Sequence, residues 1–204
     1  MEQPAELSNW EDYRALPEDQ RWELIDGQLF QMSSSPRFLH QALVGSFHLE
    51  MALALRGKPC QVYLSPLDVK LSDLNVVQPD LLVLCDRSLI KETHIEGAPN
   101  LVVEILSPSS YRHDRVRKLA LYARFGIPEY WIVTPDPATL EVLVWDAGSY
   151  RVAGSFKPPG RFRSPTLPDL DLDLQALFAP SGPGPVDEVR EAAPEYIAEL
   201  LASG

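Results

Sequence analysis

Cysteine is scarce in this chain: 204 residues carry two, Cys60 and Cys85. That excludes a small disulfide-stapled fold and a cysteine-rich zinc module. Both fall in strand-like runs and read as small buried thiols, with no disulfide framework. No apolar run approaches the ~20 residues needed to span a bilayer. The opening, MEQPAELSNWEDY, is acidic and polar, unlike a secretory signal. A soluble, cytoplasmic protein is expected. Positive charge is also short: 18 Lys and Arg stand against 29 Asp and Glu, a net charge of −11. Such a surface repels polyanions as a whole, so contact with nucleic acid needs a local basic patch. Internal repeats, low-complexity tracts, helix-turn-helix and zinc-finger patterns are missing too. Nothing in the chain declares how bases would be read.

What is present is an ordinary globular composition, 45% hydrophobic and 23% charged. At this length a hydrophobic core can hold the fold without metal or disulfide. Ser8 followed by Glu11 reads as a capping box opening a short helix. Asp26-Gly27 between two apolar runs predicts a tight hairpin. Leu39, Leu43, Phe47, Met51 and Leu55 recur at helical spacing, so a long amphipathic helix is expected over 38–55. CQVYLS, LDVKL, PDLLVLC and NLVVEIL read as strands, the last two as central strands covered on both faces. YRHDRVRKLALYARFG reads as a second helix closed by Gly126 and Pro128. EYWIVTP and LEVLVW read as strands paired around Asp136-Pro137, with SYRVAGSF extending them.

This order predicts an α/β (α+β) sandwich, a mixed central sheet with one long helix on each side. The repeated βαβ alternation of a doubly wound fold is absent. Residues 1–180 are read as one domain. SGPGP at 181–185 is read as a linker, and 186–203 as a C-terminal helix.

Two acidic residues stand out. Pro79 marks the start of a strand, because it cannot donate to a ladder, and Asp80 follows it. Glu104 sits inside the apolar run LVVEIL. Two carboxylates on neighbouring central strands repel unless a cation lies between them. Hard oxygen ligands suit Mg²⁺ or Mn²⁺, which can polarise a phosphodiester and lower the pKa of a bound water. The plainer alternatives are a turn cap for Asp80 and a buried arginine partner for Glu104. Arg112, Arg115, Arg117, Lys118 and Arg124 crowd one helix-like stretch, a local patch suited to phosphate. An ordinary solvated helix face explains the same residues, and Asp114 with Lys118 reads equally as a surface ion pair.

ELIDG, VVQPD, APNLVVEILSPSS, DRVRK and YARFGIPEYWIV occur in one order and spacing that resembles the Uma-two family of bacterial restriction-endonuclease-like proteins. That family is placed in the PD-(D/E)XK nuclease superfamily. The resemblance covers roughly residues 10–178. It implies a restriction-endonuclease-like fold, a divalent-metal active site and nucleic acid, expected to be DNA, as substrate. Asp80 and Glu104 match the two acidic, metal-holding positions. The superfamily's usual lysine two residues after the second acid is Leu106 here. The resemblance implies a migrated lysine at Lys118, with Lys70 as the competing candidate. Glu23 and His40 also match family positions. Glu23 could add a carboxylate or hold a water, or be an ordinary hairpin side chain. His40 could assist proton transfer or contact phosphate, or be a structural histidine. Asp114 could position Lys118. The expected nucleic-acid contacts are Arg112, Arg115 and Arg117, and a homo-oligomer is expected by analogy with enzymes that cut two strands. The rival expectations are a binding or assembly module that keeps the fold, and a metal hydrolase acting on a smaller phosphate ester.

Overall fold

The structure, a computed structural model, describes residues 7–17, 19–32, 38–107 and 113–179. The expected linker and C-terminal helix after residue 180 lie outside the described residues.

The first helix, α1, runs over Trp10–Arg14. Its cap is Asn9, one residue later than the sequence suggests. The Asn9 side chain accepts from the backbone N–H groups of Glu11 and Asp12, and the Asp12 carboxylate accepts from the Asn9 N–H. The reciprocal box therefore uses Asn9 and Asp12, not Ser8 and Glu11. Strands β1 (Trp22–Ile25) and β2 (Gln28–Gln31) form the expected hairpin. Its turn needs positive φ at both central residues, and Asp26 and Gly27 supply 52° and 73°. Helix α2 spans Phe38–Ala54.

Six strands follow: β3 (Gln61–Leu64), β4 (Asp68–Ser72), β5 (Asn75–Val77), β6 (Leu81–Leu84), β7 (His94–Glu96) and β8 (Leu101–Ile105). Residues His113–Lys118 form a π-type segment that runs into helix α3, Leu119–Arg124. The chain continues through β9 (Glu129–Thr134), β10 (Thr139–Asp146), β11 (Ser149–Phe156), β12 (Arg161–Arg163), β13 (Asp171–Asp173) and α4 (Leu174–Phe178). The β9–β10 hairpin turns around Asp136-Pro137, and β11 extends it, as the sequence predicts.

The strands do not make one sheet. A six-stranded sheet, ordered β11-β10-β9-β8-β6-β3, faces a second sheet, β2-β1-β5-β4-β7, and β12 pairs with β13. β8 is central, antiparallel to β6 and parallel to β9. Strand alternation divides the core. Leu81, Val83, Leu101, Val103, Ile105 and Trp131 pack against Leu43, Phe47 and Met51 of α2. Leu82, Leu84, Val102, Tyr130 and Ile132 pack against Leu121 and Tyr122 of α3 and against Ile25, Val69, Val77 and Ile95 of the second sheet. The expected helix on each side is thus corrected on one face: α3 shares it with a sheet. Each fully buried aliphatic side chain contributes about 1.5–3 kcal/mol, so both faces of β8 are strongly fixed.

Cys60 and Cys85 are also corrected. They form a disulfide, with Cα atoms 3.9 Å apart. Gln61 opposes Leu84 in the β3–β6 register, which brings the next positions, 60 and 85, opposite each other. Among the described residues no helix is long and apolar enough to cross a membrane.

Candidate active site

β6 and β8 set the geometry. Leu81 opposes Val103, so Asp80 stands one step further on, opposite Glu104. Glu104 has the parity of Val102 and points to the α3 face. It is 3% exposed. A carboxylate buried that deeply needs a cation or several donors. It has both. Lys118 Nζ lies 2.9 Å from Glu104 Oε1, and the Tyr122 hydroxyl donates to the same oxygen at 2.8 Å. Burial, reinforced by the Glu104 charge, pushes the Tyr122 phenol well above its ordinary value. Tyr122 is therefore a fixed hydrogen-bond donor.

Lys118 has a second carboxylate. Its Nζ is 2.8 Å from Glu23 Oε1, and Lys118 and Glu23 are 2% and 1% exposed. Glu23 reaches this face because β1 has the parity of Ile25, which packs in the same cluster. Glu23 Oε1 also accepts from the Gln78 backbone N–H at 2.9 Å. One ammonium therefore bridges two carboxylates that would otherwise repel, leaving a formal excess of one negative charge within the trio. Lys118 closes the π-type segment, a backbone feature that concentrates at functional sites. Leu106 is buried in the apolar cluster beside Leu121, so it is a packing residue.

Asp80 lies at the more open edge. His40, in the first turn of α2, places Nε2 3.1 Å from Asp80 Oδ2, with 15% and 17% of the two side chains exposed. The Ile105 N–H donates to the same Oδ2 at 2.8 Å. The backbone of β8 thus ties the Asp80 carboxylate to the residue after Glu104. The structure brings Asp80, Glu104, Lys118, Glu23 and His40 into one neighbourhood, from α2, β1, β8, the turn before β6 and the stretch before α3. Lys70 is elsewhere. It pairs with Asp73 at 2.9 Å and Glu96 at 3.4 Å on the second sheet.

Gln78 was not singled out by sequence. Its side-chain oxygen accepts from Arg21 Nε at 2.9 Å, and its nitrogen donates to Asp68 at 2.9 Å and Tyr13 at 3.3 Å. Arginine can only donate and a carboxylate only accept, so the amide has one orientation. Pro79 then fixes φ between this anchor and Asp80. The only sequence signal was a polar residue before Pro-Asp.

The oxygen chemistry of Asp80 and Glu104 fits Mg²⁺ or Mn²⁺. Among the described residues no group of three or more His, Cys, Asp or Glu is disposed to hold a metal.

The basic stretch is less positive outside than its sequence implies. Arg112 lies outside the described residues. Arg115 pairs with Glu141 at 3.0 Å, Arg124 pairs with Asp26, and Lys118 is buried. Arg117 is exposed, its guanidinium 4.3 Å from the centre of the Phe30 ring.

Comparison with known proteins gives three findings. The family Uma2, described as "Putative restriction endonuclease", matches residues 10–175. An uncharacterized protein of Synechocystis sp. (strain PCC 6803) is 31% identical over 141 residues, 68% of this chain and 72% of that one. A crystal structure from Anabaena variabilis ATCC 29413, described as "a putative nuclease belonging to DUF820", superposes with a TM-score of 0.69. It is 22% identical, over 83% of this chain and 97% of that one, a likeness of fold alone.

Proposed function

The chain belongs to the Uma2 family, and from that membership we propose that it is a divalent-metal-dependent nuclease hydrolysing phosphodiester bonds of nucleic acid, with DNA as the expected substrate. The observation that carries this reading is the buried ammonium of Lys118 against Glu104. On this reading Lys118 supplies, beside the second acidic residue, the positive charge that Leu106 cannot.

Asp80 and Glu104 would hold Mg²⁺ or Mn²⁺, which when bound polarises a phosphoryl oxygen and acidifies a water. The protein's own groups do the rest. The Asp80–His40 edge, being the more exposed, receives the phosphodiester. His40 can carry a proton at Nε2, the nitrogen that faces Asp80. Lys118 stabilises negative charge developing on the phosphorus oxygens through a medium of low dielectric. Glu23 and Tyr122 hold Lys118 and Glu104 in place. Arg117, with Arg112 and Arg115, guides the polyanion. A homo-oligomer and a cytoplasmic setting belong to the same reading.

The test is a cleavage screen on plasmid and on single- and double-stranded oligonucleotides with Mg²⁺ or Mn²⁺. Asp80→Asn and Glu104→Gln should both be inactive. A parent protein that cuts none of these substrates would overturn the reading. A non-catalytic binding module has one observation in its favour. Lys118 is sealed between two carboxylates, as a purely structural ion-pair network would be. Metal-dependent binding of nucleic acid without cleavage would establish that alternative.

A further inference from the structure

The cysteine pair and the cleft beside it have no part in the phosphodiester chemistry. Cys60 lies just before β3, the edge strand of the six-stranded sheet. Cys85 lies just after β6, and its N–H is held by the Asn100 side chain at 2.8 Å. Both cysteines are half-buried, within reach of small solutes. An open cleft of about 470 Å³ reaches Cys60 and is not lined by Cys85. Its charged and titratable lining is His48, Arg56, Lys58 and Tyr63, with no carboxylate. Lys58 is shared with Asp169 at 2.9 Å, an exposed pair, which leaves Arg56 as the main cation of the cleft. In a chain of net charge −11 this is a locally electropositive wall beside a sulfur. Reactive cysteines occupy such partly exposed, electropositive surroundings.

We infer that Cys60 and Cys85 form a thiol–disulfide exchange site, that Cys60 carries the sulfur attacked, and that the cleft takes a carboxylate-bearing low-molecular-weight thiol. The incoming thiolate attacks Cys60 Sγ. A new S–S bond to Cys60 forms as the Cys60–Cys85 bond breaks, and Cys85 leaves as a thiolate that takes up a proton. A second thiolate attacks the small-molecule sulfur of the mixed disulfide. It releases the Cys60 thiolate and a symmetric small disulfide. Two small thiols are oxidised, one protein disulfide is reduced, and no other reactant is needed. The site is independent of the nuclease reading.

The charge of the cleft gives the decisive experiment. Whole-molecule charge would favour a cationic thiol, because the protein is strongly acidic. Local charge favours an anionic one, since exposed charges beyond roughly 10 Å are screened at 0.1 M salt. Reduction of the full chain is followed with glutathione and with cysteamine, at equal thiolate concentration, by thiol release and intact mass. Glutathione should react about tenfold faster, at the low end of electrostatic focusing. Arg56→Ala with Lys58→Ala, or 0.5 M salt, should close the gap. Quenched peptide mapping should find the glutathione adduct on Cys60. Cysteamine reacting as fast as or faster than glutathione would overturn the inference. So would an adduct confined to Cys85, or a protein whose two thiols are not oxidised to the disulfide by glutathione disulfide. Single variants give a control that does not depend on the intact bridge. With glutathione disulfide as the reagent, the remaining Cys60 in Cys85→Ser should be glutathionylated, releasing glutathione, faster than Cys85 is in Cys60→Ser, and the reverse order would refute the assignment.

Discussion

The Lys118 ammonium and the Glu104 carboxylate meet at 2.9 Å inside the protein, 14 positions apart in the chain. The contact joins a central strand to the segment that follows it. Lys118→Ala should lower nuclease turnover by about 10²–10³, the scale for losing one charge-stabilising group. It should also cost about 3–5 kcal/mol of stability, because two buried carboxylates lose their cation. Lys70→Ala is the control. Its surface pairs make a change under ~1 kcal/mol and full activity the expected result. Cleavage kinetics and urea unfolding measure both. A dead Lys70→Ala beside an active Lys118→Ala would reverse the assignment.

Asp80 carries the metal expectation. Mg²⁺ or Mn²⁺ should raise the melting temperature of the parent by mass action. Asp80→Asn should remove most of that rise, although His40 and the Ile105 N–H still have an oxygen to face. Equal metal affinity of variant and parent by calorimetry would separate Asp80 from the ion.

Gln78 should behave as a positioning residue. Gln78→Met keeps the backbone N–H that Glu23 needs but removes the clamped amide. The loss of buried hydrogen bonds should cost about 1–3 kcal/mol. Turnover should fall while KM for the nucleic acid stays near the parent value. Unfolding curves and steady-state kinetics, read together, distinguish this from a simple loss of fold. Unchanged turnover in a folded variant would remove Gln78 from the site.

Arg117 is the cleaner probe of the basic stretch, because Arg115 is already engaged by Glu141. Arg117→Glu should weaken nucleic-acid binding and flatten its salt dependence without unfolding the protein. Fluorescence anisotropy across a salt series tests this. Identical salt slopes for variant and parent would move the binding surface elsewhere.

Tyr122 predicts an alkaline limit. Burial, then the Glu104 charge, raises its pKa in the folded state above the ordinary value of 10.0. The neutral phenol is thus favoured on folding. Its contribution is fully present below pH 10 and declines as pH rises towards the folded value, because only the unfolded chain has released the proton. Tyr13 and Tyr150 are raised in the same direction, mainly by burial. Stability should fall with a steep slope above pH 10, and Tyr122→Phe should lessen that slope. Chemical denaturation between pH 8 and 11 gives the measurement.

The sequence by itself determined the parts whose signals are local. Helical spacing fixed α2, where Leu43, Phe47 and Met51 are buried as their period requires. Continuous apolar runs marked β6 and β8 as interior strands. Asp-Gly set the β1–β2 turn, since only a few residue types accept positive φ. Asp80 and Glu104 were visible as acids at places where acids are costly. Tertiary structure decided what depends on register and on distant partners. Strand pairing set position 60 against position 85, and no local pattern encodes that. The splitting of the strands into two sheets placed Glu23 across from Lys118, because inter-sheet packing is set by which faces exclude water together. By local pattern Lys118 read as a surface cation on a basic helix, and only the family resemblance singled it out as the migrated lysine. It became a buried bridge only once two carboxylates from β1 and β8 converged on it. The same long-range pairing drew Arg115 to Glu141 and Arg124 to Asp26, so the patch seen in sequence is partly neutralised in space. Local periodicity is written in neighbours three or four apart, whereas electrostatic partnership is chosen by the fold.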